Sequence, residues 1–205
     1  MAINRRDIIE ILREENELLK KRNHQVSNRL ARMQQAFRAL NEIEEKTRDI
    51  SPGVDLQALL YQLLELVMHA CNTEHGSLIL LDEQAQELEF VEVIGDTRQA
   101  LKNHRIRLNT GVVGQVMKTG ESVLIENVQS SKQWSAEVDD FLGFHTRALM
   151  CSPLVIEDRV IGALEVVNQQ TDLPFDNNDL NILRVAARFV SLVLERAEKL
   201  TMTLE

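Results

Sequence analysis

The chain has few of the residues that staple or punctuate a fold. Its 205 residues include two cysteines, three prolines, eight glycines and one tryptophan, and aromatics make up 4%. Cys71 and Cys151 alone cannot form a disulfide framework, and no pair of CxxC spacings suggests structural zinc. No uninterrupted apolar run approaches the ~20 residues of a membrane span. Residues 1–15 are charged throughout and lack an apolar signal core, so the expectation is a cytoplasmic protein without a membrane partner. Positive charge is the scarcer sign: 23 Lys plus Arg against 32 Asp plus Glu give a net charge of −9. That balance argues against binding along a phosphate backbone. Hydrophobic residues are plentiful, at 44%, and supply a real core.

Charge divides the chain. Residues 1–50 carry a net +2 and contain neither Gly nor Pro, while the remainder carries −11. Ser51-Pro52-Gly53 then interrupts the pattern, because Pro disfavours helix in the residue before it and Gly loosens the chain. The expected organisation is therefore a helical segment, 1–50, and a domain from 54 to about 200. In the first segment Leu12, Leu19, Val26, Met33 and Leu40 recur every seven residues, with Ile8, Ala36 and Ile43 at the complementary position. That is a coiled-coil seam, broadened by Leu30 and Phe37 and interrupted by Glu15, Arg22 and Arg29. A helix over 8–47 is about 60 Å long, too long for one small domain to cover, which points to a partner helix. Over 11–38 basic residues outnumber acids by 7 to 3. A solvated coiled-coil face explains that excess better than nucleic acid does.

Beyond the break the periods alternate. Leu56, Leu59, Leu60, Leu63, Val67 and Ala70 predict an amphipathic helix over 54–72. Residues 77–82 and 88–93 read as a β-hairpin, 105–108 as a short strand, 111–117 as one to two helical turns ended by Gly120, and 122–126 as a strand. The stretch 127–145 is polar and reads as a loop carrying a short helix. Strands over 147–156 and 160–168 flank a turn at Glu157-Asp158-Arg159, with Pro153 expected at an edge or bulge. A closing helix spans about 177–200. Its two apolar faces, Leu183/Val190/Ala197 and Ile182/Phe189/Leu192, predict that one covers the sheet and the other a partner. Catalytic patterns are weak: His69, Cys71 and His75 do not share a helical face, and there is neither a P-loop nor a nucleophile elbow. The reading is a non-enzyme without a metal site.

This order of elements resembles a GAF domain over residues 54–200. Asn109-Thr110-Gly111-Val112-Val113-Gly114-Gln115-Val116 is similar to the family's Gly-x-x-Gly helix start. Residues 149–162, with Pro153 ahead of a turn and Val-Ile-Gly-Ala-Leu, resemble its central strands. Asn168-Gln169, Phe175 and Asp179 parallel the Asn-Lys…Phe-x-x-x-Asp-Glu signature of cyclic-nucleotide-binding members, with Gln169 in place of Lys and Leu180 in place of Glu. The same residues also read as a helix start, with Asp176 as N-cap, Asp179 three residues on and Phe175 as a staple. The resemblance implies an α+β fold: an antiparallel sheet of about six strands, helices across one face and a small-molecule pocket on the other. It also implies a sensory module.

On that fold the expected pocket floor is Ser77, Arg147, Leu149 and Cys151, with 127–145 as the lid and Trp134 and Asp139 as its ligand-binding residues. Arg147 could meet an anion bidentately, and Trp134 could stack on a planar ring. Each has a plainer role as well, Arg147 as a surface ion pair with Asp139 or Asp140 and Trp134 as an anchor for its loop. The ligand itself is not legible. The dimer interface is expected at Leu12, Leu19, Val26, Met33 and Leu40 and, from the closing helix, at Leu183, Val190, Val193 and Ala197. The functional expectation is a parallel homodimer that binds a small molecule and relays the event to a separate output protein. The alternative is a ligand-free dimerisation or protein-interaction scaffold.

Overall fold

The computed structural model describes residues 5–48, 50, 53–131, 143–170 and 174–202. In chain order these form α1 (Arg5–Arg48), α2 (Leu56–Cys71), β1 (Thr73–Asp82), β2 (Glu87–Ile94), α3 (Arg98–Leu101), β3 (Arg105–Arg107), α4 (Gly111–Thr119) and β4 (Val123–Ile125). A 3-10 turn (Val128–Ser130), β5 (Leu149–Ile156), β6 (Arg159–Gln169) and α5 (Asn177–Met202) follow. The chain divides into two units, one ending at Gln35 and one beginning at Ala36.

The first unit is the greater part of α1. With no Gly or Pro to break it, the helix continues through every described turn. Leu12, Leu19, Val26 and Met33 are exposed along it, as are Ile9 and Leu30, with Val26 at 66% and Met33 at 59%.

The second unit is built on one six-stranded antiparallel sheet in the order β3-β2-β1-β6-β5-β4. Alternation along the strands separates two cores. Leu78, Met150, Leu154, Leu164 and Val166 face α2 and α5, whereas Ile79, Phe90, Leu149, Cys151 and Ala163 face α4 and its neighbours. The last turns of α1 belong to the first of these layers. Ala36 and Ala39 pack with Ala70 of α2, small residues that let helices approach closely, and Ile43 is fully buried. Lys46 Nζ donates to Gln62 Oε1 at 2.9 Å, and Arg196 donates to the Thr47 carbonyl.

Two expectations about the interface are corrected here. Ala36 and Ile43, read as complementary seam positions, are occupied inside the chain's own fold, and Leu40 is half-buried at the margin of the same core. Leu183, Val190 and Val193 are fully buried in the first core, because the sheet claims the most continuous apolar stripe of α5; Ala197 is half-buried. Among the described residues, the large apolar side chains that α5 leaves exposed are Val185 and Leu192.

Local chemistry accounts for the element ends. Asp55 Oδ1 accepts the Ala58 N–H and caps α2, while Asn72 ends that helix in the left-handed region at φ 53°. The β5–β6 hairpin is a two-residue turn, with φ of 46° at Glu157 and 65° at Asp158; Arg159 already belongs to β6. Pro153 lies just beyond Cys151, where pairing with β4 ends, and immediately before the register shift at Leu154/Val155. Its missing N–H therefore leaves no ladder bond unmade. The sequence carries no local signal for α3; its one turn depends on the pairing of Arg98 and Lys102 with Glu92.

Candidate functional site

A cavity of about 100 Å³ lies on the sheet face opposite α2 and α5, bounded by β1, β2, β6, α3 and α4. Its walls are mainly apolar: Phe90, Ile94, Leu101, Ile106, Val112, Val113, Leu149 and Val167. Polar groups converge on it from separate elements. Ser77 and Glu165 are register partners on β1 and β6, which places hydroxyl and carboxylate side by side on the floor. Thr97, Thr110 and Thr146 line it as well. His75 completes the set. Its ring meets Phe144 edge-on at 5.0 Å between centroids, and its Nδ1 is buried with no hydrogen-bond partner among the described residues. That nitrogen lies against Gly95, where a Cβ would stand 2.3 Å from it, so no larger residue fits at position 95.

The glycine motif builds one wall. Gly111 starts α4 at φ 59°, and a Cβ at Gly114 would lie 2.6 Å from the Asn109 carbonyl carbon and 2.7 Å from the Leu108 oxygen. Only glycine lets α4 lie this close to the preceding backbone. The first N–H groups of any helix lack partners within it, and those of Gly111, Val112 and Val113 begin α4 beside the cavity. Gly76 also borders the cavity while touching the other layer: a Cβ there would lie 3.0 Å from Met68 Cγ of α2.

Asn168 fixes the opposite wall. At φ 53° its Oδ1 accepts the Arg147 N–H at 2.7 Å, and its Nδ2 donates to the His145 carbonyl at 2.8 Å. One amide thereby ties the approach to β5, including Phe144 and Thr146, to the end of β6. Gln169 is buried and its Nε2 donates to Asp179 Oδ2 at 3.4 Å. Asp176 Oδ1 accepts from the N–H groups of Asn178 and Asp179, and Asp179 Oδ2 accepts the Asp176 N–H in return. That is a reciprocal capping box at the start of α5, with Phe175 buried beside it. The third motif thus serves helix capping and strand clamping, and none of its residues lines the cavity.

The wall formed by α3 is held by charge. Glu92, buried in β2, pairs with Lys102 Nζ at 2.9 Å and Arg98 Nη2 at 3.4 Å, and Arg98 lies over the Tyr61 ring at 5.0 Å. Thr97 and Leu101, which line the cavity, are carried on this turn.

Of the expected site residues, Ser77 and Leu149 line the cavity. Arg147 does not: it is exposed, and its guanidinium donates to the Gln169 carbonyl at 3.3 Å, because residue 147 precedes β5 and is pinned by Asn168. Cys151 is fully buried in the second core rather than on the lining. Burial, and then the Glu165 carboxylate, push its thiol well above the usual 9.0. Trp134 and Asp139 fall outside the described residues, as do Asp140 and Phe141. His69 is exposed, Cys71 buried and His75 at the cavity, so the three diverge. Among the described residues no three His, Cys, Asp or Glu side chains cluster in a way that could hold a metal ion, and no helix is long and apolar enough to cross a membrane. Glu165 is not among the expected site residues, although a charge within the apolar run Ile161 to Val167 is a visible signal in the sequence.

Comparison with known proteins agrees with this fold. The chain is 26% identical over 154 residues to the probable 3',5'-cyclic phosphodiesterase pde-5 of Caenorhabditis elegans, covering 71% of this chain and 21% of that protein. It covers 75% of itself and 18% of the dual 3',5'-cyclic-AMP and -GMP phosphodiesterase 11A of Takifugu rubripes, at 24% identity. The chain thus spans about a fifth of the curated relatives it matches. In fold it is similar to the GAF domain from a phosphoenolpyruvate-protein phosphotransferase of Coxiella burnetii, with a TM-score of 0.70, 14% identity, and 82% of this chain and 96% of that one covered. The family model for the GAF domain matches residues 55–194, well over half of the chain, and the chain belongs to that family.

Proposed function

We propose that this chain is a non-catalytic sensory module whose cavity binds a small polar molecule, and that dimeric helices relay the event to a separate output protein. Residues 54–200 are the sensing part and residues 1–50 the relay, acting in the cytoplasm without membrane or nucleic acid. The observation that carries the reading is the convergence of Ser77, Glu165 and His75 on an otherwise apolar cavity. A few placed polar groups on apolar walls are what ligand sites share. Glu165 favours a ligand that presents a hydrogen-bond donor or positive charge to the floor, and the α4 N-terminus favours an acceptor at the wall. With Arg147 turned away, a plain anion is disfavoured. The phosphodiesterase relatives make the cyclic nucleotides the first compounds to try, the purine amine and the phosphate supplying donor and acceptor.

The test is thermal shift with cyclic AMP, cyclic GMP, free amino acids and small amines, run on the wild type and on Leu149→Trp, which fills the cavity. A ligand that raises Tm in the wild type and not in the variant supports the reading. No shift with any compound, together with no co-purifying small molecule by native mass spectrometry, refutes it. A second reading, a ligand-free dimerisation or interaction scaffold, is favoured by the cavity's volume. About 100 Å³ is below the ~300–1,000 Å³ typical of sites for drug-sized ligands.

A further inference from the structure

The exposed side of α1 within the first unit contains a second complementary series. Three residues ahead of Leu12, Leu19, Val26 and Met33 stand Ile9, Asn16, Asn23 and Leu30, all exposed. Spacings of three and four give the 3.5-residue period of a two-helix seam. This series replaces Glu15, Arg22 and Arg29 inside the seam with two amides and an added leucine, and moves those charges to its flank. The competing series is in any case drawn into the chain's own core at Ala36 and Ile43. With Leu12 and its repeats at one core position, Ile9, Asn16, Asn23 and Leu30 occupy the other.

We infer that Asn16 and Asn23 fix the pairing of α1 with a second copy of this chain as parallel, in register and two-stranded; the inference rests on the dimer reading above. An Asn side chain carries both donor and acceptor, so in a parallel, in-register pair each amide meets its own copy and both are satisfied. An antiparallel pair sets each amide against an apolar residue, and a one-heptad slip leaves two of the four amides against Ile9 or Leu30; an amide buried unpaired is unfavourable. A single buried Asn at this kind of position is known to set register and chain number at some cost in stability; here there are two successive layers. Charge on the flanks agrees. In a parallel pair Glu15 faces Lys20 of the second copy, five residues on. Arg22 faces Ser27 and Arg29 faces Gln34, so no like charges oppose. Lys20 now pairs with Glu17 within the helix at 3.1 Å, but both groups are exposed and such a pair exchanges readily.

The experiment uses the full chain in four forms: wild type, the single variants Leu12→Cys and Met33→Cys, and the double variant Asn16→Leu/Asn23→Leu. Light scattering should give the wild type twice the chain mass of 23.4 kDa. Each cysteine variant should form a disulfide-linked dimer on mild oxidation, since each position meets its own copy. In an antiparallel pair positions 12 and 33, about 30 Å apart along the axis, cannot both meet their own copies. The double leucine variant should shift to three or more chains, at least a 1.5-fold rise in mass. A wild type at one chain mass overturns the dimer and this inference with it. A dimeric wild type whose cysteine variants do not both link overturns the parallel register and leaves the dimer standing. Linked cysteines with a leucine variant that stays at two chains overturn the role given to the asparagines. Should that variant precipitate, Asn16→Asp decides instead. Two facing carboxylates should raise the dissociation constant at least tenfold at pH 7, and an unchanged constant overturns the assignment.

Discussion

The charge cluster that holds α3 makes an asymmetric prediction. Glu92 is 1% exposed at its side chain, Lys102 25% and Arg98 47%. The two cations can reach water if their partner is lost; the carboxylate cannot. Glu92→Gln keeps the shape and still offers an acceptor to Lys102, so its cost is that of weakened charge-assisted bonds, about 1–2 kcal/mol. Arg98→Met with Lys102→Met strands a buried carboxylate, and breaking a buried pair from one side costs about 3–5 kcal/mol. Adding Glu92→Leu to that double variant removes the stranded charge and should restore most of the loss, since a buried ion pair and well-packed apolar residues are often close in free energy. Urea unfolding at pH 7 measures all three. If Glu92→Gln is as destabilising as the double methionine variant, or the triple variant gains nothing, the burial argument is wrong. Because Thr97 and Leu101 ride on α3, the double variant should also lose any ligand-induced rise in Tm.

Three further outcomes are expected. Gly114→Ala, which at an ordinary helical position would stabilise, should instead cost about 1–3 kcal/mol in urea unfolding, because the methyl meets backbone at 2.6 Å; a gain would refute the close approach. Asp176→Ala removes the acceptor for two N–H groups and should cost about 1 kcal/mol by the same measurement, with no change in any ligand's affinity. The Cys151 thiol should resist DTNB at pH 8 until urea unfolds the chain, and rapid native labelling at that position would contradict its burial. The folded chain holds this proton to higher pH than the unfolded chain. Its contribution to stability is therefore complete below about pH 9 and declines as pH rises further.

Most of the sheet was legible because its strands alternate between two cores. Each of Leu78, Leu164 and Val166 on one face is matched by Ile79, Ala163 and Leu149 on the other, and that period survives in sequence. The break at Pro153 was legible for the same reason: an imino acid has few places in a ladder. The site was less so. Ser77 and Glu165 become neighbours only through the β1–β6 register, and nothing local to either residue announces the other. Arg147 was misplaced because the strand begins two residues later, where Asn168 has finished its clamp. The α3 turn was invisible because a four-residue helix has too little local free energy to declare itself and leans on Glu92. On α1 and α5 periodicity marked apolar stripes without saying which surface each would meet. Burial of Ala36, Ile43, Leu183, Val190 and Val193 within the chain answered that.

Gly76 gives the sheet a window. At that point the wall between cavity and α2 is one backbone thick, with the cavity on one side and Met68 on the other. Any other residue type would glaze the opening with a side chain and press on the Met68 and Leu64 side chains of α2. The Met68 side chain is thus stationed behind the pane, so what fills the cavity and what packs α2 onto the sheet meet through a single layer of backbone.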